Sequence, residues 1–401
     1  MNLDKIDIYN PDNYVTAAPH DQFKTLREHA PVFWHSHPDG DGFWVLTKHE
    51  DIIQVSRDHK TFSAEIGAVM IDNLPPHILE LQKDQLLSMD PPRHGPLRRT
   101  VVRRFTGKIL GETESIIRNR ARLIIDNLRE KTECDFVYDA AAQLPTAVIC
   151  AMMDIPETMW TQVLHWSDAL SGSDDPDMSA GPEATFQAAI EMGTYGYQLA
   201  AERFGGNGED LISLLINVEI EGHKFSPEQF GSLFTQIITA GNETTRTLIS
   251  SGMLELIKNP ALYQALEKDH SLIPNAVEEM LRWVCPLHYF RRTATCDTEI
   301  RGQAIKQGQR VMMSYAAGNR DPAVFENPDV FDIYRSKNPH LAFGHGIHLC
   351  LGANLARMET RIFFEEFFNA FKTIELTDEP VRLRSNLTNA LKKMPVRLTP
   401  R

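Results

Sequence analysis

The chain has 401 residues, 42% of them hydrophobic, which is ample for a substantial core. Its 54 acidic against 41 basic residues leave a net charge of -13, which argues against general nucleic-acid binding. Five cysteines (134, 150, 285, 296 and 350) form no Cys-x-x-Cys pair, against a disulfide framework or zinc site, and no apolar run nears the ~20 residues that cross a bilayer, so a cytoplasmic protein with no integral membrane segment is expected.

Near the N-terminus, residues 31–35 and 42–47 flank His-Pro-Asp-Gly-Asp and predict a hairpin in a small sheet. Residues 22–29 and 51–57 read as short helices. Residues 64–74 are apolar but irregular, with Pro75 and Pro76 behind them, as in a loop that packs on the surface or borders a pocket. Met-Asp-Pro-Pro-Arg then leads into a helix bearing His94, Arg98, Arg99, Arg103 and Arg104. His94 and Arg98 stand four apart on one face, where two cationic donors can clasp a carboxylate; a solvated basic face is the competing reading. Helical spacing follows over 112–130 and 140–153. Residues 160–204, rich in Trp, Tyr and Met and broken by Ser-Gly-Ser-Asp-Asp-Pro-Asp, predict two amphipathic helices with a flexible connection.

Ser226, Pro227 and Gln229 form a capping-box start for a helix that runs to residue 257, about 45 Å at 1.5 Å per residue. In its middle lies Ala240-Gly241-Asn242-Glu243-Thr244-Thr245-Arg246, where Gly and Thr lower helix propensity. Such a violation suggests function, although a polar kink kept for packing fits the residues equally well. A helix over 274–283 carries Glu279 and Arg282 three apart, a spacing typical of surface ion pairs. Residues 287–290 are mostly apolar and precede Arg291 and Arg292; short strands follow at 299–301 and 309–313, with turns at Gly302 and Gly308. Residues 343–352 read Phe-Gly-His-Gly-Ile-His-Leu-Cys-Leu-Gly. Glycines 344, 346 and 352 allow a tight backbone close to a flat ligand, Phe343, Leu349 and Leu351 shelter the Cys350 sulfur, and the start of the next helix favours its thiolate. That helix, 353–371, presents Leu355, Ile362, Phe363, Phe367 and Phe371 as a buried stripe. Residues 381–383 and 396–398 predict a hairpin with 386–389 at its tip.

The pattern Phe-x-x-Gly-x-His-x-Cys-x-Gly resembles the haem-binding signature of the cytochrome P-450 family. The resemblance runs over almost the whole chain, through His94-x-x-x-Arg98 after Asp-Pro-Pro, the acid-alcohol pair Glu243-Thr244, Glu279-x-x-Arg282, Arg292 and Arg335. It implies a mainly α fold with a smaller β-rich region, residues 1–401 forming one haem domain with a long central helix over haem b. Cys350 would be the axial metal ligand. Ala240, Gly241, Phe343 and Gly352 would border the haem, and His94, Arg98, Arg292 and His348 would hold its propionates, with His345 left to solvent. Thr244 would hold water near dioxygen and Glu243 would feed protons. Glu279, Arg282 and Arg335 would form a structural network holding the cysteine loop. The substrate pocket would draw on Ile66, Val69, Ile237, Ala240, Leu287, Tyr289 and Leu387, under a lid formed by 160–204.

The implied reaction inserts one atom of dioxygen into a C–H bond of a hydrophobic small molecule. No flavin- or iron–sulfur-binding segment accompanies the haem region, so two electrons from NAD(P)H are expected through a ferredoxin and ferredoxin reductase, with Arg99, Arg103 and Arg104 facing the acidic donor and the protein acting as a monomer. The motifs are similar to those of bacterial members that oxidise steroid side chains, terpenoids and branched aliphatic chains; an alkyl-aromatic substrate is the alternative. A non-enzymatic haem sensor would need neither Glu243 and Thr244 nor a channel, and a peroxide-using member normally lacks that pair.

Overall fold

The computed structural model describes residues 3–104, 107–208, 210–220 and 222–401. Its longest element is the central helix Pro227–Lys258, 32 residues and about 48 Å. The capping box forms as the sequence predicts: the Gln229 amide N–H donates to Ser226 Oγ at 3.3 Å, and the Ser226 N–H donates to Gln229 Oε1 at 2.9 Å. Both bonds satisfy amides that the first helical turn leaves without partners. The helix is continuous through residues 240–246. Around it pack the helices Gln143–Met152, Trp160–Ser171, Pro182–Ala201, Ile273–Val284 and Ala353–Ala370. The crossing with Pro182–Ala201 is close enough that a Cβ at Gly231 would collide with the Gly193 carbonyl.

Apolar side chains collect in three clusters. One joins the lower half of the central helix (Leu248, Met253) to Met280, Leu281 and the phenylalanine stripe of the C-terminal helix. A second lies under the N-terminal sheet (Phe43, Val45, Val311, Met313, Tyr315). The third links the upper half of the central helix (Phe230, Leu233, Phe234) to Leu86, Val101 and the helices over 160–201. No helix among the described residues is long and apolar enough to cross a membrane.

The predicted hairpin is present as Val32–His35 against Phe43–Leu46. It belongs to a five-stranded sheet that continues through Arg310–Ser314, Tyr289–Ala294 and Phe62–Ser63. The strand Tyr289–Ala294 departs from the sequence reading, which left these residues outside any strand: Arg291 and Arg292 break the apolar alternation that normally marks one. The C-terminal hairpin also differs. Val381–Arg382 pairs with Leu391–Lys393, while Pro395–Pro400 joins Phe371–Leu376 and Glu133–Asp135 in a separate sheet.

Candidate active site

Cys350 is placed by backbone constraints on both sides. Its N–H donates to the Phe343 carbonyl at 2.9 Å, closing the loop, and Gly344 and Gly346 adopt φ of +68° and +72°. A Cβ at Gly346 would collide with the Ser56 carbonyl, so the loop seats on the helix His49–Arg57 only with glycine there. His345, half-buried, accepts a hydrogen bond from the exposed Arg57 Nε at 2.9 Å, a bond that remains open to solvent. The surface of Cys350 is cavity wall, enclosed by protein. Burial therefore pushes its thiol up, and the Gly352 amide, with Arg98 and Arg357, offsets this only in part. The Gly352 amide at the helix start favours the thiolate, as the sequence leads one to expect, while burial opposes it; a bound cation would add further stabilisation.

Behind the loop, the ion network is buried to an extent that its spacing alone does not disclose. Arg282 grips Glu279 with both Nε (2.9 Å) and Nη2 (2.7 Å), and Arg335 Nε adds a third bond at 3.1 Å. Asn338 Nδ2 and the Asp332 amide complete the carboxylate's partners. Both guanidinium groups then donate to backbone carbonyls: Arg282 to Asn319, Pro328 and Val330, Arg335 to Glu326, Asn327 and Val330. This anchors the irregular chain that leads to residue 343.

The thiol faces a cavity lined by the central helix, the Cys350 loop and the helix His94–Arg104. His94, Arg98, Ala240, Gly241, Thr244, Arg292, Phe343, His348 and Gly352 all contribute to its wall. The rings of His94 and His348 lie 4.5 Å apart, and Nε2 of each is buried with no hydrogen-bond partner among the described residues. Burial, then Arg98, lowers His94 to about 4; burial, then Arg292, His94 and Arg98, lowers His348 to about 2. Arg98 donates to the Leu349 carbonyl, and Arg292, buried, to that of Arg291 at 2.8 Å. Glu359 is the one carboxyl among the described wall residues, so this group of nitrogen donors has no anion to serve. The residues fit a haem: its two carboxylates would satisfy the orphaned imidazole nitrogens and the arginines, and Cys350 would supply the sulfur for its iron. Arg99 is exposed; the side chains of Arg103 and Arg104 lie outside those described.

On the central helix, the Thr244 hydroxyl lines the cavity and donates to the Ala240 carbonyl at 2.8 Å. Gly241 lines it through its backbone, while a Cβ there would meet Ile149 Cδ1 at 3.0 Å, so this glycine also serves the helix Gln143–Met152. Glu243 points away from the cavity. Its carboxylate is bound by Arg246 and by Thr247 Oγ1 at 3.2 Å, and Arg246 in turn holds Asp168 at 2.5 Å. Burial pushes the Glu243 carboxyl up and Arg246 opposes the rise. In this arrangement the acid ties the central helix to Trp160–Ser171.

Of the residues expected around a substrate, Ile237, Ala240 and Leu287 reach the wall, whereas Ile66, Val69, Tyr289 and Leu387 do not. The strand explains most of this. Phe290 and Arg292 face the cavity, so alternation turns Tyr289 and Arg291 to the opposite side, where Tyr289 is buried and meets Asn386. Arg291 also carries the 64–74 loop away: its N–H donates to Val69 O at 2.8 Å, its Nη1 to Asp72 O at 3.1 Å, and Ile66 is left 50% exposed. Leu387 packs beside the sheet cluster, its carbonyl accepting from the His288 amide. Leu86, Leu87, Leu233 and Phe290 occupy the wall instead. Leu233 was detectable four residues before Ile237 on one helix face; Leu86 and Leu87 arrive through tertiary placement, with no local signal. Glu359 was also detectable, since its spacing from Leu355 and Ile362 puts a carboxyl on the buried stripe.

The chain is similar to known proteins over most of its length. A cytochrome P-450 family model matches residues 202–399. The steroid C26-monooxygenase of Rhodococcus jostii is 36% identical over 400 residues, covering 97% of this chain and 84% of that one. The linalool 8-monooxygenase of Pseudomonas putida is 36% identical over the full length of both. Among solved structures, a Mycobacterium marinum cytochrome P-450 in complex with pseudoionone superposes with a TM-score of 0.92 at 36% identity, covering 99% of each chain. With a sheltered cysteine, a ring of donors suited to two carboxylates and kinship at this level over its whole length, the chain belongs to the cytochrome P-450 family and is a haem-thiolate monooxygenase.

Proposed function

We propose that this monooxygenase hydroxylates a hydrophobic small molecule of the terpenoid, steroid or branched-alkyl kind, all 401 residues serving one haem domain. The observation that carries the substrate class is the apolar share of the cavity wall: Leu86, Leu87, Leu233, Ile237, Leu287 and Phe290 line the same cavity as Thr244. The named activities of the two relatives, on a steroid and on linalool, support the same class. Haem bound by a cysteine thiolate supplies the reductive activation of dioxygen.

The chain's own residues do the rest. Cys350 would give the sulfur that holds the haem, while His94, Arg98, Arg292 and His348 would fix its orientation through the carboxylates. Thr244 Oγ1, on leaving the Ala240 carbonyl, holds water at the reacting atoms. Glu243 would pass protons once Arg246, shared with Asp168, releases it and its carboxylate turns toward the cavity, which would make the Arg246–Glu243 contact the switch for that path. The apolar wall excludes bulk water and positions the C–H bond by shape. Electrons come from NAD(P)H through a ferredoxin and its reductase, Arg99 offering an exposed cation to the acidic donor, with the enzyme acting as a monomer. Spectral titration of the holoenzyme with terpenoids, steroids, fatty acids and alkylbenzenes, followed by product analysis with a ferredoxin system, tests the proposal. Hydroxylated terpenoid or steroid product is expected; selective binding and turnover of alkylbenzenes would replace the substrate class.

A further inference from the structure

Among the apolar residues of the cavity wall stands one neutral amide, Gln236. It lies on the central helix between Leu233 and Ile237, both wall residues, and no hydrogen bond from its side chain to protein is found among the described residues. It contrasts with Thr244, the cavity's other neutral polar group on that stripe, whose hydroxyl is engaged by Ala240. Gln236, Ala240 and Thr244 recur at intervals of four, so they line one face of the helix in sequence. Eight residues separate Gln236 from Thr244, about 12 Å along the axis.

An amide left facing an apolar ligand forfeits its hydrogen bonds, whereas a ligand oxygen restores them. Building on the monooxygenase reading above, we infer that Gln236 is the specificity-determining anchor for an oxygen function on the substrate. The substrate is then an otherwise hydrocarbon molecule bearing a hydroxyl or ketone. Because the anchor lies two turns from Thr244, the carbon oxidised is several bonds from that oxygen and not adjacent to it. Glutamine suits either group: its NH2 donates to a ketone, and its carbonyl also accepts from a hydroxyl.

The test uses the holoenzyme and one carbon skeleton in three oxidation states: menthol, menthone and menthane, with affinities measured by calorimetry and by the spectral shift. Menthol and menthone are expected to bind roughly tenfold tighter than menthane, the value of one buried hydrogen bond. Gln236→Met, close in length and shape, is expected to erase that gap without weakening menthane. A preference for menthol over menthone shows that the carbonyl of Gln236 is used as well; equal binding shows the NH2 acting alone. Equal affinity for all three in the unmodified enzyme, failure of all three to bind, or a gap that survives in Gln236→Met overturns the anchor. Each result is read on protein whose ferrous carbonyl band is intact; loss of that band in the unmodified holoenzyme would sink the monooxygenase reading itself.

Discussion

Glu359 offers the most quantitative prediction. Its side chain is 3% exposed on the C-terminal helix, its Oε2 has no partner among the described residues, and burial alone raises the carboxyl from 4.5 to about 8. At about 1.36 kcal/mol per pH unit, that difference is worth on the order of 5 kcal/mol as an upper limit. The sign follows from which state binds the proton. Below pH 4.5 both folded and unfolded chains keep it, and the group is neutral to stability. Between 4.5 and about 8 the unfolded chain ionises while the folded one does not, so stability is lost progressively, levelling off above pH 8. Glu359→Gln keeps the shape and removes the titration. The gap in urea-unfolding free energy between the variant and the unmodified protein should widen in the variant's favour by about 3 kcal/mol between pH 5.5 and pH 8.5, followed by far-ultraviolet circular dichroism. A gap that does not change with pH would refute the reasoning, since it would mean that water or a shifted partner already ionises the carboxyl.

Three further outcomes follow from the site. Cys350→Ala should abolish the ferrous carbonyl absorption of thiolate-bound haem, and survival of the band would overturn the ligand assignment. Thr244→Ala should bind haem normally, because the lost bond to Ala240 is local and alanine favours the helix, while reductant is consumed with little hydroxylated product; tight coupling in the variant would remove Thr244 from proton handling. Glu279→Ala leaves Arg282 and Arg335 buried without their carboxylate and should cost about 3–5 kcal/mol in urea unfolding, with haem lost more readily. A cost below about 1 kcal/mol, as for an exposed pair, would show that backbone carbonyls suffice for the two arginines.

Local chemistry accounts for what was legible in the sequence. The capping box at Ser226, the glycines that shape the loop at 343–352 and the spacing of Glu279 and Arg282 each act over a few residues, and their pattern is visible without the fold. The distal wall was less legible because long-range pairing decides it. Whether Tyr289 or Phe290 faces the cavity depends on one residue of strand register, and the consecutive arginines hid the strand that sets it. Arg291 then decides where the 64–74 loop rests, through bonds to carbonyls more than two hundred positions away. Glu243 is a different case: its identity fitted the acid-alcohol pattern, but Arg246, three residues on, and Asp168 on another helix determine where its carboxylate points.

The cavity is bounded by all three apolar clusters. Leu248, Leu281 and Leu355 come from the first, Tyr315 from the second, and Leu86, Val101, Ile149 and Leu233 from the third. A molecule seated there touches all three clusters at once, so its binding free energy adds to what holds them together. Cofactor retention and global cohesion thus become one thermodynamic quantity. A substitution deep in any one cluster, far from Cys350, is expected to register first as a faster exchange of haem and only later as unfolding.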